Sequence, residues 1–130
     1  MIIQIDSVKK KNYKIKKIPI IKNSKGNLFK LVSKNHNFYN KFGEIYLSEV
    51  IRGKFKGWKY HEYRSQIITV ASGKVRFFFK KKITDKPTFI DLEYPSKLYL
   101  LKIEPKTYYS FECKSKKRGL IINLIDEVVK

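Results

Sequence analysis

The residues best suited to chemistry lie between Gly53 and Gly73, in the stretch GKFKGWKYHEYRSQIITVASG. This stretch contains His61, one of the two histidines of the chain, and an imidazole titrates near neutral pH, as a general base should. Lys59 lies two residues before His61, so both side chains point to one face if the segment is a strand. The Lys59 ammonium would lower the pKa of His61 and keep the imidazole neutral. The pair is therefore suited to proton abstraction, with Lys59 placed to stabilise an oxyanion.

Basic residues beside this pair are suited to binding phosphate. Arg52, Lys54 and Lys56 alternate along the sequence, so on a strand they form one basic stripe that could hold a phosphate-bearing ligand. Arg76 is a further candidate for the same group, and Trp58 could stack on a base or a sugar ring. The simpler alternative for each basic residue is an ordinary surface charge, and for Trp58 it is packing in the core.

Short β-strands must position these side chains. Alternating apolar residues and turn signals predict six strands, over Leu28–Val32, Phe42–Val50, Thr88–Leu92, Lys97–Ile103, Tyr108–Cys113 and Gly119–Ile125. Ser72-Gly73 predicts a hairpin turn between strands over Gln66–Ala71 and Lys74–Phe79, and Gly57 predicts a bulge or bend. We find no amphipathic helix and no internal repeat. Roughly eight to ten short strands with regular turns are typical of a β-sandwich or barrel.

The balance of charge is strongly basic, with 30 Lys and Arg against 11 Asp and Glu and a net charge of +19. An anionic partner would explain the excess, whether nucleic acid, an anionic membrane or a phosphate-bearing small molecule. A solvated lysine surface, encoded by a genome of low GC content, explains it equally well. The basic residues are spread over the whole chain, which disfavours a nucleic-acid partner.

The length and the remaining composition limit the number of domains and the cellular settings that we expect. At 130 residues the chain is expected to form a single domain over residues 1–130, and the Lys-rich segment 1–22 predicts an edge strand. No apolar run approaches the roughly 20 residues of a membrane-spanning helix, so we expect no membrane partner. Cys113 is the single cysteine; it excludes an intramolecular disulfide and is consistent with a cytoplasmic location.

The spacing of the central stretch resembles the first cupin motif, which is Gly, five residues, His-x-His, three or four residues, Glu, six residues and Gly. Here Gly53 is followed after five residues by Lys59-Tyr60-His61, after four more by Gln66 and after six more by Gly73. Residues 103–111 resemble the second cupin motif, with Tyr109 at the histidine position. The resemblance implies an all-β, double-stranded β-helix (a cupin jelly-roll barrel) with a core over residues 20–127.

Within the cupins, the run GKFKGWKYH resembles that of the RmlC-like dTDP-4-dehydrorhamnose 3,5-epimerases. His61 and Gln66 also match two of three positions in the His-x-His and Gln pattern of sugar 3,4-ketoisomerases. A cupin metal needs three His and a Glu, whereas the corresponding residues here are Lys59, His61, Gln66 and Tyr109. We therefore predict neither a metal nor a cofactor, as the resemblance to the epimerases also implies.

The resemblance implies a sugar-nucleotide epimerase or ketoisomerase of bacterial surface polysaccharide biosynthesis. Both reactions remove a proton beside a ketone and return one elsewhere, for which His61 is the candidate base and Lys59 the enolate stabiliser. Tyr108 or Tyr109 is the candidate acid, since strand alternation places only one of them inside, and Gln66 is a candidate substrate-binding residue. The resemblance also implies a homodimer with swapped or shared edge strands, and the Lys-rich N-terminal strand is the candidate edge.

Two other functions remain open. His61 could be an interior side chain without a catalytic role, because the base and acid positions of the epimerases are changed in this chain. The protein would then be a non-catalytic cupin that binds an activated sugar or an anionic glycan. The third and least favoured alternative is a basic nucleic-acid-binding β-barrel, suggested by Tyr and Phe residues interleaved with Lys.

Overall fold

The computed structural model describes residues 7–9 and 13–128, and every regular element in this part of the chain is a β-strand. The twelve strands are β1 (Ser7–Lys9), β2 (Tyr13–Lys17), β3 (Ile20–Ile21), β4 (Leu28–Phe29), β5 (Glu44–Val50), β6 (Phe55–Tyr60), β7 (Gln66–Ser72), β8 (Lys74–Lys80), β9 (Thr88–Glu93), β10 (Tyr99–Ile103), β11 (Tyr108–Cys113) and β12 (Gly119–Ile125). The all-β prediction is confirmed. No helix in the described ranges is long and apolar enough to cross a membrane.

Two antiparallel sheets face each other. The larger sheet has six strands in the order β1-β2-β10-β7-β12-β5, and the smaller has four in the order β6-β11-β8-β9. Alternate residues of each sheet point inward, so Phe77 and Phe79 of β8 pack against Ile68 of β7 and Leu101 of β10 in one buried cluster. The core therefore lies between the two sheets, as expected for a barrel.

A second apolar cluster covers the outer face of the larger sheet. Ile67 and Leu124 point outward from β7 and β12 and pack against Ile18 and Phe38. The segment that joins β2 to β5 thus lies across this face, with β3 and β4 paired as a short ribbon. In the segment 1–22, for which an edge strand is predicted, β1 lies at one edge of the larger sheet, but β2 is paired on both sides, with β1 and β10. Residues 1–6 and 10–12 of this segment lie outside the described residues.

The predicted hairpin at Ser72-Gly73 is wrong. β7 pairs with β10 and β12 in the larger sheet, whereas β8 pairs with β11 and β9 in the smaller one. Only Gly73, with φ of +75°, separates the two strands, and hairpin turns need at least about two residues to reverse the chain in register. The chain instead turns a corner, which places Val70 and Val75 in the same buried cluster from opposite sheets.

The predicted bulge at Gly57 is confirmed. In the pairing of β6 with β11, Tyr109 lies opposite Lys59 and Phe111 lies opposite Lys56. β6 therefore carries one extra residue opposite Ser110. Because of this bulge, Lys56 and Lys59 both lie opposite inward-facing residues although they are three positions apart.

Gly57 is predicted to be irreplaceable, and Gly26 supplies a control with the same backbone conformation. The φ angle is +134° at Gly57 and +133° at Gly26, but a Cβ at Gly57 would overlap the Cα and Cβ of Ser110, whereas at Gly26 nothing lies within 4 Å. We expect Gly57→Ala to lower the free energy of unfolding by at least about 2 kcal/mol more than Gly26→Ala does. Urea unfolding of both variants measures this difference, and equal losses would contradict the close packing at the bulge.

Candidate active site

Three of the predicted residues, His61, Gln66 and Tyr109, lie in contact. His61 directly follows β6, Gln66 is the first residue of β7 and Tyr109 is the second residue of β11. The Tyr109 hydroxyl lies 3.4 Å from Nε2 of His61 and donates a hydrogen bond of 3.1 Å to Oε1 of Gln66. Tyr109 is only 2% exposed, while Tyr108 lies on the opposite face of β11 against the ring of Tyr60. Of the two tyrosines that the sequence left open, Tyr109 is therefore the interior one.

Two further residues of this cluster were missed by the sequence analysis. Asn123 of β12 donates from Nδ2 to Oε1 of Gln66 at 2.7 Å and also contacts the hydroxyl of Tyr46 on β5 at 3.3 Å. The available signal was the alternation of β5 and β12, which places Tyr46 opposite Asn123, but strand pairing was needed to use it. Asn123 Oδ1 is buried and has no hydrogen-bond partner in the described residues.

The hydrogen bonds determine which nitrogen of His61 is free. Gln66 Oε1 is a carbonyl oxygen and can only accept, so the single hydroxyl proton of Tyr109 is used in that bond. The oxygen of Tyr109 can then only accept from His61, which requires the proton of the neutral imidazole to lie on Nε2. This leaves Nδ1 of His61 unprotonated and able to act as a base.

The electrostatic surroundings keep this base neutral. Burial lowers the pKa of His61, and the nearby charges of Arg64 and Lys59 lower it further. Burial, with a smaller contribution from Lys56, also lowers the pKa of the Lys59 ammonium, which lies 5.6 Å from the centroid of the Phe111 ring. Burial raises the pKa of Tyr109 to about 12, so its phenol stays protonated while His61 exchanges protons.

A groove of ≈ 600 Å³ lies between the free edges of β5 and β6, and Lys54 and Lys56 line it together with Leu47, Ser48, Glu49, Val50 and Ile51. Lys56 Nζ donates to the hydroxyl of Ser48 at 3.2 Å across the groove. On β5 the next inward-facing residue after Tyr46 is Ser48, and on β6 the inward-facing residue before Lys59 is Lys56, so the groove adjoins the polar cluster. Its basic side is suited to a phosphate-bearing group.

The other predicted site residues are not brought to this cluster. Trp58 and Arg76 lie on the outer face of the smaller sheet, where Arg76 forms an ion pair of 2.8 Å with Asp91. Arg52 is exposed in the connection between β5 and β6 and forms an isolated backbone bridge with Cys113. In residues 7–9 and 13–128, no group of three or more His, Cys, Asp and Glu side chains is placed to hold a metal ion.

Two facing antiparallel sheets with a polar cluster at their open edges define a jelly-roll barrel of the cupin class. The chain belongs to the family described as FdtA: WxcM-like, C-terminal, whose model matches residues 11–121. A search of curated proteins found no match.

Solved structures show the same fold. The dTDP sugar isomerase of Desulfovibrio desulfuricans G20 superposes with a TM-score of 0.84 at 22% identity, over 92% of this chain and 80% of that chain. QdtA, a sugar 3,4-ketoisomerase of Thermoanaerobacterium thermosaccharolyticum, superposes with a TM-score of 0.77 at 21% identity, over 92% of this chain and 84% of that chain. RmlC, the dTDP-6-deoxy-D-glucose-3,5-epimerase of Legionella pneumophila, superposes with a TM-score of 0.82 at 12% identity, over 95% of this chain and 72% of that chain. The predicted RmlC-like cupin barrel is confirmed.

The pKa of His61 can be measured directly, because the chain has only two histidines and His36→Gln assigns their NMR signals. We expect a midpoint below the usual value of about 6.5. Lys59→Met should raise the midpoint without restoring the usual value, since burial remains, while Lys25→Met in a distant turn should leave it unchanged. A midpoint at or above the usual value in the parent protein would contradict the proposed neutral base.

The sign of the linked stability effect follows from the same shift. With the folded-state pKa below the unfolded one, the unfolded chain binds more protons at acid pH. The contribution of His61 to the stability of the fold is therefore complete above about pH 6.5, and it is lost as the pH falls through the folded-state pKa.

Proposed function

We propose that this protein is a metal-free isomerase of nucleoside-diphosphate 4-keto sugars, of the 3,4-ketoisomerase type. The observation that carries the proposal is the hydrogen bond between His61 and the buried Tyr109, beside a groove lined by Lys54 and Lys56. This arrangement combines a neutral base with a site for a diphosphate. A 3,5-epimerase uses the same chemistry at other carbons and is the alternative within this class.

The similar structures support the choice of substrate class. The QdtA 3,4-ketoisomerase was solved in complex with TDP, and a mutant of it, with a histidine replaced by asparagine, was solved with TDP-4-keto-6-deoxyglucose. The Legionella RmlC epimerase was solved with dTDP-4-keto-L-rhamnose. The identities to the isomerases, 22% and 21%, exceed the 12% to the epimerase, which favours the ketoisomerase type.

In the proposed reaction, Nδ1 of His61 removes the proton from the carbon next to the ketone of the sugar. The electron pair of the broken C–H bond forms an enolate, whose negative oxygen is stabilised by the partly buried ammonium of Lys59. The enolate oxygen then takes a proton from an acidic side chain, and the hydroxyl on the neighbouring carbon gives its own proton back to that side chain, so the new C=O forms at the neighbouring carbon. Return of the His61 proton to the former carbonyl carbon completes a 3,4-ketoisomerisation. Lys54 and Lys56 bind the diphosphate. Arg52 lies two residues before Lys54, in the connection between β5 and β6.

The two tyrosines take different roles in this proposal. Tyr109 is a positioning residue, because its proton is held by Gln66 and its oxygen orients His61. Tyr46 accepts from Asn123, which leaves its own phenolic proton available to a substrate, so Tyr46 is the better placed acid. Burial, with a contribution from Glu44, raises the pKa of Tyr46, which keeps this proton bound until a strong base such as an enolate is present.

A non-catalytic protein that binds an activated sugar is the second candidate. It is favoured by Lys59, which occupies the position of the catalytic histidine of the epimerases that the sequence resembles. Whether it turns its ligand over or only binds it, we place the protein in the cytoplasm, in the synthesis of surface polysaccharides, where nucleotide sugars are made.

Deuterium exchange tests the proposal. With dTDP-4-keto-6-deoxyglucose in D₂O, we expect label at C3 and C4 for a ketoisomerase, and at C3 and C5 for an epimerase. His61→Asn should reduce exchange by about a hundredfold or more while dTDP binding, measured by calorimetry, is retained. The matched control His36→Asn should exchange like the parent.

Saturable dTDP-sugar binding without exchange in the parent protein would mean that the second candidate is correct. If neither binding nor exchange is found with dTDP, UDP or GDP sugars, the assignment of the groove to a nucleotide diphosphate is wrong.

We also propose a homodimer that pairs through an edge of the larger sheet. β1 and β5 are the two edges, and β5 exposes apolar side chains, with Ile45 57% and Leu47 63% exposed. Sedimentation velocity at micromolar concentration should give a dimer, and Ile45→Lys should dissociate it if β5 is the interface. Retention of the dimer in this variant would assign the interface to the N-terminal edge, and a monomeric parent would refute the proposal.

A further inference from the structure

The outer face of the smaller sheet is covered with aromatic rings. Each of its four strands contributes, with Phe55, Trp58 and Tyr60 from β6, Tyr108 from β11, Phe78 from β8 and Phe89 from β9. We call this set the aromatic face. Phe55 and Phe89 are 50% and 52% exposed, and Tyr60 is 42% exposed, so no part of the described chain covers the aromatic face. Large apolar side chains grouped on an open surface mark an interaction site.

The rings form continuous rows across the strands. Phe78 pairs with Phe89 across β8 and β9, with ring centroids 6.1 Å apart, and Phe55 lies 6.2 Å from both Phe78 and Trp58. A neighbouring row contains Tyr60 and Tyr108, whose centroids are 4.6 Å apart. Four strands at the usual spacing of a sheet make this surface about 14 Å wide.

Cations lie directly over the rings. Lys80 Nζ is 4.3 Å from the centroid of Trp58, and Arg76 is 4.1 Å from that of Phe89. Lys80 forms no ion pair within the described residues, and Lys81 and Lys82 follow it in the turn after β8. One end of the aromatic face is therefore basic and available to an anion.

The carboxylates of this face lie at the other end and are largely paired. Asp91 accepts both guanidinium bonds of Arg76, at 2.8 and 3.1 Å, and Glu112 lies 3.7 Å from Lys114. Glu93, opposite Lys74, completes the acidic set. A ligand that crosses the rings from Phe55 towards Lys80 passes Glu112, which already pairs with Lys114, before it reaches the lysines.

We propose that the aromatic face binds single-stranded nucleic acid. Bases of any nucleic-acid sequence can stack on exposed aromatic rings, while the phosphates interact with flanking lysines. Proteins that bind single strands without sequence preference use this combination. A four-stranded sheet with exposed aromatic residues stacks two or three bases in the RNA-recognition fold, and the width of this surface accommodates that number. The net charge of +19 adds a long-range attraction for a polyanion.

Other occupants fit less well. A second copy of the chain, packed face to face across a two-fold axis, would either bring the two clusters of Lys80, Lys81 and Lys82 together or set each against Asp91 and Glu112, which already pair with Arg76 and Lys114. An anionic bilayer would cover the whole face at once, including Asp91, Glu93 and Glu112, whereas a single strand covers only a narrow path across the rings to the lysines. The site is also separate from the candidate active site, because Tyr108 and Tyr109 point to opposite faces of β11.

Fluorescence anisotropy with labelled 12-residue dT and U oligonucleotides, at two salt concentrations, tests the proposal. We expect binding that weakens as salt is raised. Phe55→Ser/Phe89→Ser should weaken it by about tenfold or more, while the control Phe42→Ser/Tyr63→Ser, on exposed rings elsewhere, should not. Lys80→Gln should weaken binding and reduce its salt dependence more than Lys25→Gln does.

The outcomes separate the alternatives. Thermal unfolding and retained dTDP binding establish that each variant is folded with an intact active site. Equal binding by the parent and the Phe55/Phe89 variant, or equal effects of Lys80→Gln and Lys25→Gln, would overturn the proposal and leave only nonspecific charge. Binding to phosphatidylglycerol vesicles that depends on Phe55 and Phe89, without such dependence for oligonucleotides, would also overturn it in favour of a membrane surface. Preference for dT or U distinguishes DNA from RNA.

Discussion

The buried carbonyl oxygen of Gln66 accepts hydrogen bonds from Tyr109 and Asn123, and the geometry of the candidate site depends on this one acceptor. This oxygen accepts the hydroxyl proton of Tyr109, so the oxygen of Tyr109 can only accept from His61, whose neutral ring is therefore protonated on Nε2. It also joins β7 and β12 of the larger sheet to β11 of the smaller one. An unpaired polar group at this depth costs about 1–3 kcal/mol, so the network holds both the site and the sheet packing in a single arrangement.

The opening beside this network results from the way the two sheets end. β5 and β6 are edge strands of different sheets and do not pair with each other, which leaves a groove between them. The bulge at Gly57 keeps both Lys56 and Lys59 on the inner side of β6. A regular strand would direct one of these two lysines outward, because side chains alternate between the faces of a sheet. The positive charge of the groove is thus a consequence of backbone geometry.

The two faces of the smaller sheet contribute to two different proposed sites. Its inner face supplies Tyr109 and Lys59 to the site, while its outer face carries the aromatic rings with Lys80 and Arg76. Alternation makes this possible, since adjacent residues such as Tyr108 and Tyr109 lie on opposite faces. Substitutions on one face leave the side chains of the other in place, so the two proposed activities can be separated by mutation.

The sequence by itself determined the local features. Alternating apolar residues placed the strands Tyr108–Cys113 and Gly119–Ile125 correctly, Gly57 indicated the bulge, and the spacing of the cupin motif identified His61, Gln66 and Tyr109 as neighbours. These features depend on residues close in the chain or on a spacing shared with a known family. A local pattern carries no information on which strands pair, so the sequence suggested a hairpin at Ser72-Gly73 where the chain instead changes sheets.

Only the tertiary structure joined Asn123 to Gln66 and Tyr46, residues 57 and 77 positions away in the chain. It also gathered onto one face aromatic and basic residues that are scattered along the sequence. Both results have the same physical reason: the contacts come from long-range strand pairing and from the packing of two sheets around a common core, which no short stretch of sequence specifies.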